Sequence, residues 1–152
     1  MSEKKQKKFY SGKKKKHTLK SQMIIEQETK RILCTAHSKG KEHDFKLFKR
    51  SKTCLDKHII CLADKGYQGI QKNHESSKIP HKKMKKKKLS LEQKKHNRDL
   101  ASIRIVIEHV YRSLKIFRVL SERYRNRRSR FSLRFNLISG IYNYELSLSQ
   151  TS

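Results

Sequence analysis

Long apolar runs are missing from this sequence, and their absence excludes several classes of protein. No segment approaches the roughly 20 apolar residues that a transmembrane helix needs, and residues 1–8 lack the apolar core of a signal peptide. Tryptophan is absent, and no amphipathic segment combines a lysine-rich face with the Trp or Phe anchors of a membrane-surface helix. We therefore expect no membrane partner.

Cysteine is scarce as well. Cys34, Cys54 and Cys61 are an odd number without close pairing, which argues against a disulfide framework and favours reduced thiols. The eight histidines show no His-His or Cys-His spacing typical of zinc ligands. The sequence thus predicts a cytoplasmic protein without structural zinc.

Acidic residues are few, with 13 Asp and Glu against 40 Lys and Arg. The net charge of +27 attracts polyanions over long distances, and each phosphate that a cation neutralises releases counterions. Nucleic acid is therefore the expected partner. Residues 1–16 are predicted to be a basic segment that is disordered alone, or ordered only against phosphate. Residues 71–88 are predicted to be a polar loop, whose lysines near 81–88 are either solvated or in contact with phosphate.

The rest of the chain suits one domain with a modest core, over residues 17–148. Apolar runs at residues 21–26 and 31–36 predict an antiparallel hairpin. Residues 44–50 predict a short helix with Phe45 and Phe48 facing inward.

Asp64 ends an apolar run and is followed by Gly66 and Gly69. Residues 59–63 predict a strand buried on both faces. A strand that delivers a carboxylate to its C-terminal end is how α/β proteins present a catalytic or metal-binding group. For the tripeptide alone, an ordinary Asp-Lys-Gly turn is the favoured interpretation.

A long helix is predicted to begin after Ser90, which forms a capping box with Gln93. The last apolar segment, residues 131–148, fits both strand and helix spacing, and its length favours helix. The predicted buried stripe of the long helix comprises Leu100, Ile103, Val106, Ile107, Val110, Leu114 and Phe117.

Charged residues on this helix form a second stripe, nearly opposite the apolar one. Arg104, Glu108 and Lys115 are spaced four and seven residues apart, and Arg112 lies beside them. One interpretation is a ladder of surface ion pairs, which periodicity alone favours. The other is a metal-binding Glu flanked by cations that hold the substrate backbone.

Ordered motifs along the chain resemble the DDE-superfamily transposases and endonuclease domains of bacterial insertion sequences, in the insertion-sequence-five group. Each motif is weak, but together they span residues 10–146 in one register. The similar segments are residues 10–20, 43–48, 63–69, 101–104, 107–110, 114–118, 124–128 and 135–143.

The resemblance implies an α/β, ribonuclease-H-like fold with a mixed sheet flanked by helices. In such domains two Asp and one Glu hold two divalent cations, Mg²⁺ or Mn²⁺, for phosphoryl transfer in DNA transposition. By this resemblance Asp64 is the second acid and Glu108 the third, both as catalytic residues and as metal ligands. Arg104, Glu108 and Lys115 also fit an Arg–Glu–Lys signature of related transposases, although Ala101 replaces the tyrosine expected before it. The cations expected to contact DNA are Lys13, Lys14, Lys15, Lys16, Arg104, Lys115, Arg125, Arg127 and Arg128.

The first acid of the family has no match in this sequence. It would lie upstream of residues 10–12, where Glu3 is the sole acid. We therefore expect a transposase fragment that lacks the first strand and first Asp and is inactive alone. The expected partners are transposon ends, target DNA, an upstream-encoded transposase half and further copies of the chain. The alternatives are a non-catalytic basic nucleic-acid-binding protein that keeps the fold, and a small RNA-associated protein.

Overall fold

The computed structural model is a mixed α/β structure. Its packing divides the chain into two compact units, the first formed by residues 1–22 and 36–102 and the second by residues 23–35 and 103–152. The residues that the structure describes are 10–11, 16–83, 88–122 and 130–150.

Six short strands pair two by two in the described part of the chain. The pairs are β1 (Tyr10–Ser11) with β2 (Lys16–His17), antiparallel; β3 (Leu19–Ile25) with β4 (Ile32–Lys39), a hairpin; and β5 (Cys61–Leu62) with β6 (Ser77–Lys78), parallel. The described strands therefore form three small sheets. The α/β class is confirmed, whereas the ribonuclease-H-like fold and the missing first strand stay predictions.

Four α-helices and two 3-10 helices complete the described elements. They are α1 (Asp44–Arg50), α2 (Leu91–Leu114), α3 (Arg118–Ser121), α4 (Phe131–Ser149) and the 3-10 helices Lys65–Tyr67 and Ile70–Lys72. None of the described helices is long and apolar enough to cross a membrane. The predicted hairpin, short helix and C-terminal helix are confirmed.

The capping box before α2 is also confirmed. The Gln93 backbone N–H donates to Ser90 Oγ at 3.2 Å, and the Ser90 N–H donates to Gln93 Oε1 at 3.1 Å. These two bonds satisfy backbone donors that have no partner within the helix. The sequence therefore placed the start of this helix correctly.

Helix α1 packs into the first unit through Leu47 and Phe48, which are buried. Phe45 is half-buried, so the predicted inward face is broadly right, but Leu47 contributes more burial than Phe45. Ile70 and Leu100 are also buried in this unit. Its apolar core is small, as the composition predicts.

The prediction of a strand buried on both faces at residues 59–63 is wrong. Ile59 and Ile60 are 52% and 58% exposed, and the strand itself is only Cys61–Leu62. The Ile59 N–H donates to the carbonyl of Asp56 at 3.1 Å. The two isoleucines therefore belong to the turn that leads into β5 and not to a central strand.

The polar stretch after residue 70 is more structured than the predicted loop, because it contains β6 and a buried histidine, His74. His74 Nε2 lies 2.9 Å from the carbonyl oxygen of Asp56, and Nδ1 lies 3.0 Å from Ser77 Oγ. A carbonyl oxygen only accepts, so Nε2 carries a proton and donates. His74 thus ties β6 to the turn before β5.

The second unit buries one face of α4. Phe131, Phe135 and Ile138 are buried and Tyr142 is half-buried, at the helical spacing that favoured a helix. Side chains on another face of α4 are exposed, namely Leu133, Leu137, Ile141, Tyr144 and Leu148.

The buried stripe predicted for α2 is correct for most of its length. Val110 and Leu114 are buried in the second unit, and Leu100 is buried in the first. Phe117 is the exception, because α2 ends at Leu114 and Phe117 is 40% exposed.

Asn143 of α4 bonds both backbone groups of Ile32 in β4. The Ile32 N–H donates to Asn143 Oδ1 at 2.9 Å, and Asn143 Nδ2 donates to the Ile32 carbonyl at 2.8 Å. The Thr35 hydroxyl donates to Oδ1 of Asn136, which lies about two helical turns before Asn143 in α4. Carboxamides of the helix therefore bond polar groups of the strand, and Asn143 satisfies the backbone of buried Ile32, which would otherwise be costly to bury.

Two neighbours on α4 provide a test of this packing. Phe135→Ala should lower the free energy of unfolding by about 3–5 kcal/mol, since it removes a buried ring. Leu137→Ala should change it by less than about 0.5 kcal/mol, since Leu137 is exposed. Urea unfolding followed by circular dichroism measures both, and equal losses would contradict the assigned faces of α4.

The thiols provide a second test. Burial raises the pKa of the Cys61 thiol above its usual value, an effect that a hydrogen bond with Ser77 partly offsets. Because the thiolate is the reactive form, Cys61 should be alkylated by iodoacetamide more slowly than exposed Cys54 at mildly alkaline pH. Mass spectrometry of the peptides measures the rates. The difference should vanish in denaturant, and equal rates in the native protein would contradict the prediction.

Candidate active site

Asp64 lies at the carboxyl end of β5, as the sequence predicts. Hydrogen bonds to the neighbouring strand segment run from the Cys61 N–H to the Ser76 carbonyl at 3.3 Å and from the Ala63 N–H to the Lys78 carbonyl at 3.0 Å. Asp64 is thus the first residue beyond the paired backbone. Its position is fixed from one side by β6.

Asp64 also begins the turn that follows. Its Oδ1 accepts from the Lys65 N–H at 2.5 Å, and its carbonyl accepts from the Tyr67 N–H at 2.9 Å. These bonds are those of an ordinary Asp turn. The residue is nevertheless exposed, so the turn orients a carboxylate at the surface of the first unit.

The Asp64 loop, defined here as residues 64–69, is held by side chains of α1 and β3. The Tyr67 ring meets the Phe48 ring edge to face, with centroids 6.3 Å apart and planes at 89°. The Tyr67 hydroxyl donates to Oε1 of buried Gln22 at 3.3 Å. These two neighbours of Tyr67 therefore belong to elements that form the small core.

Gly69 ends the loop in a conformation that favours glycine. Its φ is +88°, in the left-handed region. A Cβ at this position would lie 3.4 Å from Cε1 of Phe45. The chain can therefore turn closely over the α1 face before Ile70 enters the core.

Glu108 is exposed on α2, one turn after half-buried Arg104. Lys115 comes directly after Leu114, the last residue of α2, and its N–H donates to the Tyr111 carbonyl at 3.1 Å. The predicted spacing is present along the helix. The role of Glu108 as a metal ligand stays a prediction, beside the interpretation of a surface ion pair.

Asp64 belongs to the first unit and Glu108 to the second. Their convergence at one site therefore stays a prediction. Among residues 16–83, 88–122 and 130–150, no group of three or more His, Cys, Asp or Glu side chains is arranged to hold a metal ion. A complete ligand set of these residue types is thus not found within the described residues.

Most of the predicted DNA-contacting cations lie outside the described residues. Lys16 is the first residue of β2. In the Lys-rich loop the lysines at residues 82–83 and 88 are exposed, and residues 84–87 are not described. Arg104 and Lys115 lie in the second unit. The cations outside the described residues are Lys13, Lys14, Lys15, Arg125, Arg127 and Arg128.

Two residues beside the Asp64 loop are not among the predicted site residues. Lys20 Nζ lies 2.9 Å from Asp44 Oδ1, and the Asp44 carboxylate lies against Gly66. Both lie in segments that resemble the family, residues 10–20 and 43–48, and this is the signal in the sequence that could have identified them.

Comparison with known proteins agrees with the family resemblance. A family model described as DDE superfamily endonuclease matches residues 1–143. A curated protein from Microchaete diplosiphon, named "Probable transposase for insertion sequence element IS702", is 58% identical over 145 residues, which are 95% of this chain and 52% of that protein. The chain thus spans about half the length of this relative. No solved structure matches the chain significantly.

Proposed function

The chain belongs to the DDE superfamily endonuclease family, and on this basis we propose that it forms part of the catalytic domain of a DNA transposase. The observation that carries the proposal is the position of Asp64. Its carboxylate is exposed at the end of β5, within a segment that resembles the family. The proposed substrates are transposon ends and target DNA.

Asp64 and Glu108 are the proposed divalent-metal ligands of this chain. Endonucleases of the DDE superfamily generally use divalent metal ions, and Mg²⁺ or Mn²⁺ suits carboxylate and phosphate oxygens. Both side chains are exposed carboxylates, so the donor type fits. When bound, such ions compensate charge on the attacking and leaving oxygens of an in-line phosphoryl transfer.

The third acid is proposed to come from polypeptide outside this sequence. Two carboxylates are one fewer than the two Asp and one Glu that the family resemblance implies, and Glu3 lies in a strongly cationic stretch. An upstream-encoded transposase half is the proposed source of this acid. We also propose that copies of the chain associate with one another. The proposed location is the cytoplasm, where the three thiols stay reduced.

The cations of the chain are proposed to hold the DNA backbone. With a charge of +27, the chain attracts duplex DNA independently of sequence. Arg104 and Lys115 are the proposed contacts beside Glu108, and Lys13 to Lys16 and the arginines at 125, 127 and 128 are the proposed contacts elsewhere. The alternative function is a basic nucleic-acid-binding protein without catalysis.

The shared site predicts that Asp64 and Glu108 lie close together. Ligands of one metal pair fall within about 10 Å of each other. In a chain whose native cysteines are changed to serine, Asp64→Cys with Glu108→Cys should therefore be joined by a cross-linker of that length. The pair Asp64→Cys with Glu122→Cys serves as a comparison. Failure to cross-link in a folded protein would return Glu108 to the surface ion-pair interpretation.

DNA binding should depend steeply on salt. If several lysines contact phosphates, affinity for duplex DNA should fall by about 10³-fold or more between about 50 and 200 mM salt. Changing Lys13 to Lys16 to glutamine should make the logarithmic salt slope shallower by about 0.9 for each lysine that contacts a phosphate. Fluorescence anisotropy measures both, and an affinity insensitive to salt would refute the electrostatic account.

The chain by itself should not nick or join DNA, because the proposed ligand set is one acid short. Purified protein is incubated with supercoiled DNA and Mg²⁺ or Mn²⁺, beside Asp64→Asn. No difference between the two proteins is expected. Nicking by the parent chain that disappears in Asp64→Asn would show that two acids of this sequence suffice.

A further inference from the structure

Lys20 and Asp44 form an ion pair at the edge of the Asp64 loop. Lys20 Nζ lies 2.9 Å from Asp44 Oδ1 and also donates to the carbonyl of Glu42 at 2.6 Å. One acceptor at the start of α1 and one just before it thus hold the ammonium group of Lys20 in β3. Lys20 thus holds one carboxylate oxygen of Asp44, Oδ1.

The other oxygen faces Gly66. A Cβ built on Gly66 would lie 2.6 Å from Asp44 Oδ2 and 3.3 Å from Asp44 Cγ. Real Cβ atoms essentially never approach so closely, so any side chain here must displace the carboxylate or the loop. Gly66 is two residues after Asp64 and lies within the 3-10 helix that Asp64 caps.

Other contacts of the loop include Tyr67 against Phe48 and Gln22, and Gly69 against Phe45. At Gly66 the charged side chain of Asp44 lies against the loop backbone, two residues after Asp64. A shift of the Asp44 carboxylate would therefore be transmitted through Gly66 to the backbone that orients Asp64.

We propose that the Lys20–Asp44 ion pair is a positioning element for Asp64, which it orients by holding Asp44 against Gly66. The proposal rests on the proposed function, in which Asp64 holds a divalent cation. Neither Lys20 nor Asp44 touches the cation in this account. Lys20 also neutralises Asp44, so that the carboxylate beside the loop does not add an unpaired charge near Asp64.

The chain offers a matched control on the same helix. Arg50 Nη2 lies 3.1 Å from Glu42 Oε2 and donates to the carbonyl of His37 at 2.8 Å. Like Lys20, Arg50 thus combines one ion pair with one bond to a backbone carbonyl, and neither of these two bonds involves residues 64–69. Arg50→Met removes a comparable interaction without affecting Gly66.

The experiment compares the parent chain with Lys20→Met, Asp44→Asn, Gly66→Ala, Lys20→Arg, Arg50→Met and Asp64→Asn. Amide hydrogen exchange of residues 65–67 reports the order of the loop. Electron paramagnetic resonance of free Mn²⁺ reports binding of the metal alone. Circular dichroism confirms that each variant is folded.

In Lys20→Met, Asp44→Asn and Gly66→Ala the loop amides should exchange faster. These three variants should also bind Mn²⁺ about 10-fold more weakly, as is common when partners of metal ligands are removed. Lys20→Arg should retain both properties, and Arg50→Met should match the parent chain. Loop exchange and Mn²⁺ affinity that are unchanged in Lys20→Met and Asp44→Asn would overturn the proposal. Equal Mn²⁺ binding by the parent and Asp64→Asn would overturn the proposed function instead, and the exchange rates would still decide whether the ion pair orders the loop.

Discussion

Burial of Leu47 and Phe48 is the interaction on which the arrangement of the candidate site depends. Helix α1 has seven residues, and a helix of this length is not stable in water by itself. Burial of the two side chains against the rest of the first unit stabilises the helix. Tyr67 and Gly69 then pack on Phe48 and Phe45, so the loop that carries Asp64 takes its shape from α1.

Several of the few acidic residues have distinct positions. Asp44 and Glu42 hold Lys20 and Arg50 in ion pairs around α1. Such pairs contribute little stability at an exposed surface, but they fix orientations. Asp64 and Glu108 are exposed in the two units, which suits the cation-binding role we propose for them. The large excess of Lys and Arg suits the contacts with DNA that we propose.

The second unit uses polar side chains where a larger domain would use apolar ones. Asn143 bonds both backbone groups of Ile32, and Asn136 accepts from Thr35. Hydrogen bonds of this kind join α4 to β4 across more than a hundred residues of sequence. Together with Phe131, Phe135 and Ile138 they explain how a sequence with 34% hydrophobic residues orders its C-terminal helix.

The sequence alone determined the elements whose signals are local. The periodicity of Phe131, Phe135 and Ile138, the capping box at Ser90, the hairpin and the bounds of α1 all follow from neighbouring residues. It also identified the family and the place of Asp64 at a strand end.

Tertiary structure decided the rest. The run at residues 59–63 looked like a central strand, but pairing with β6 determines which part of it is a strand, and that partner has no local signal. Likewise, Gly66 looked like a turn glycine, whereas its closest neighbour is Asp44, 22 residues earlier in the chain. A contact between distant residues depends on how the elements pack, and the residues around either partner do not encode it.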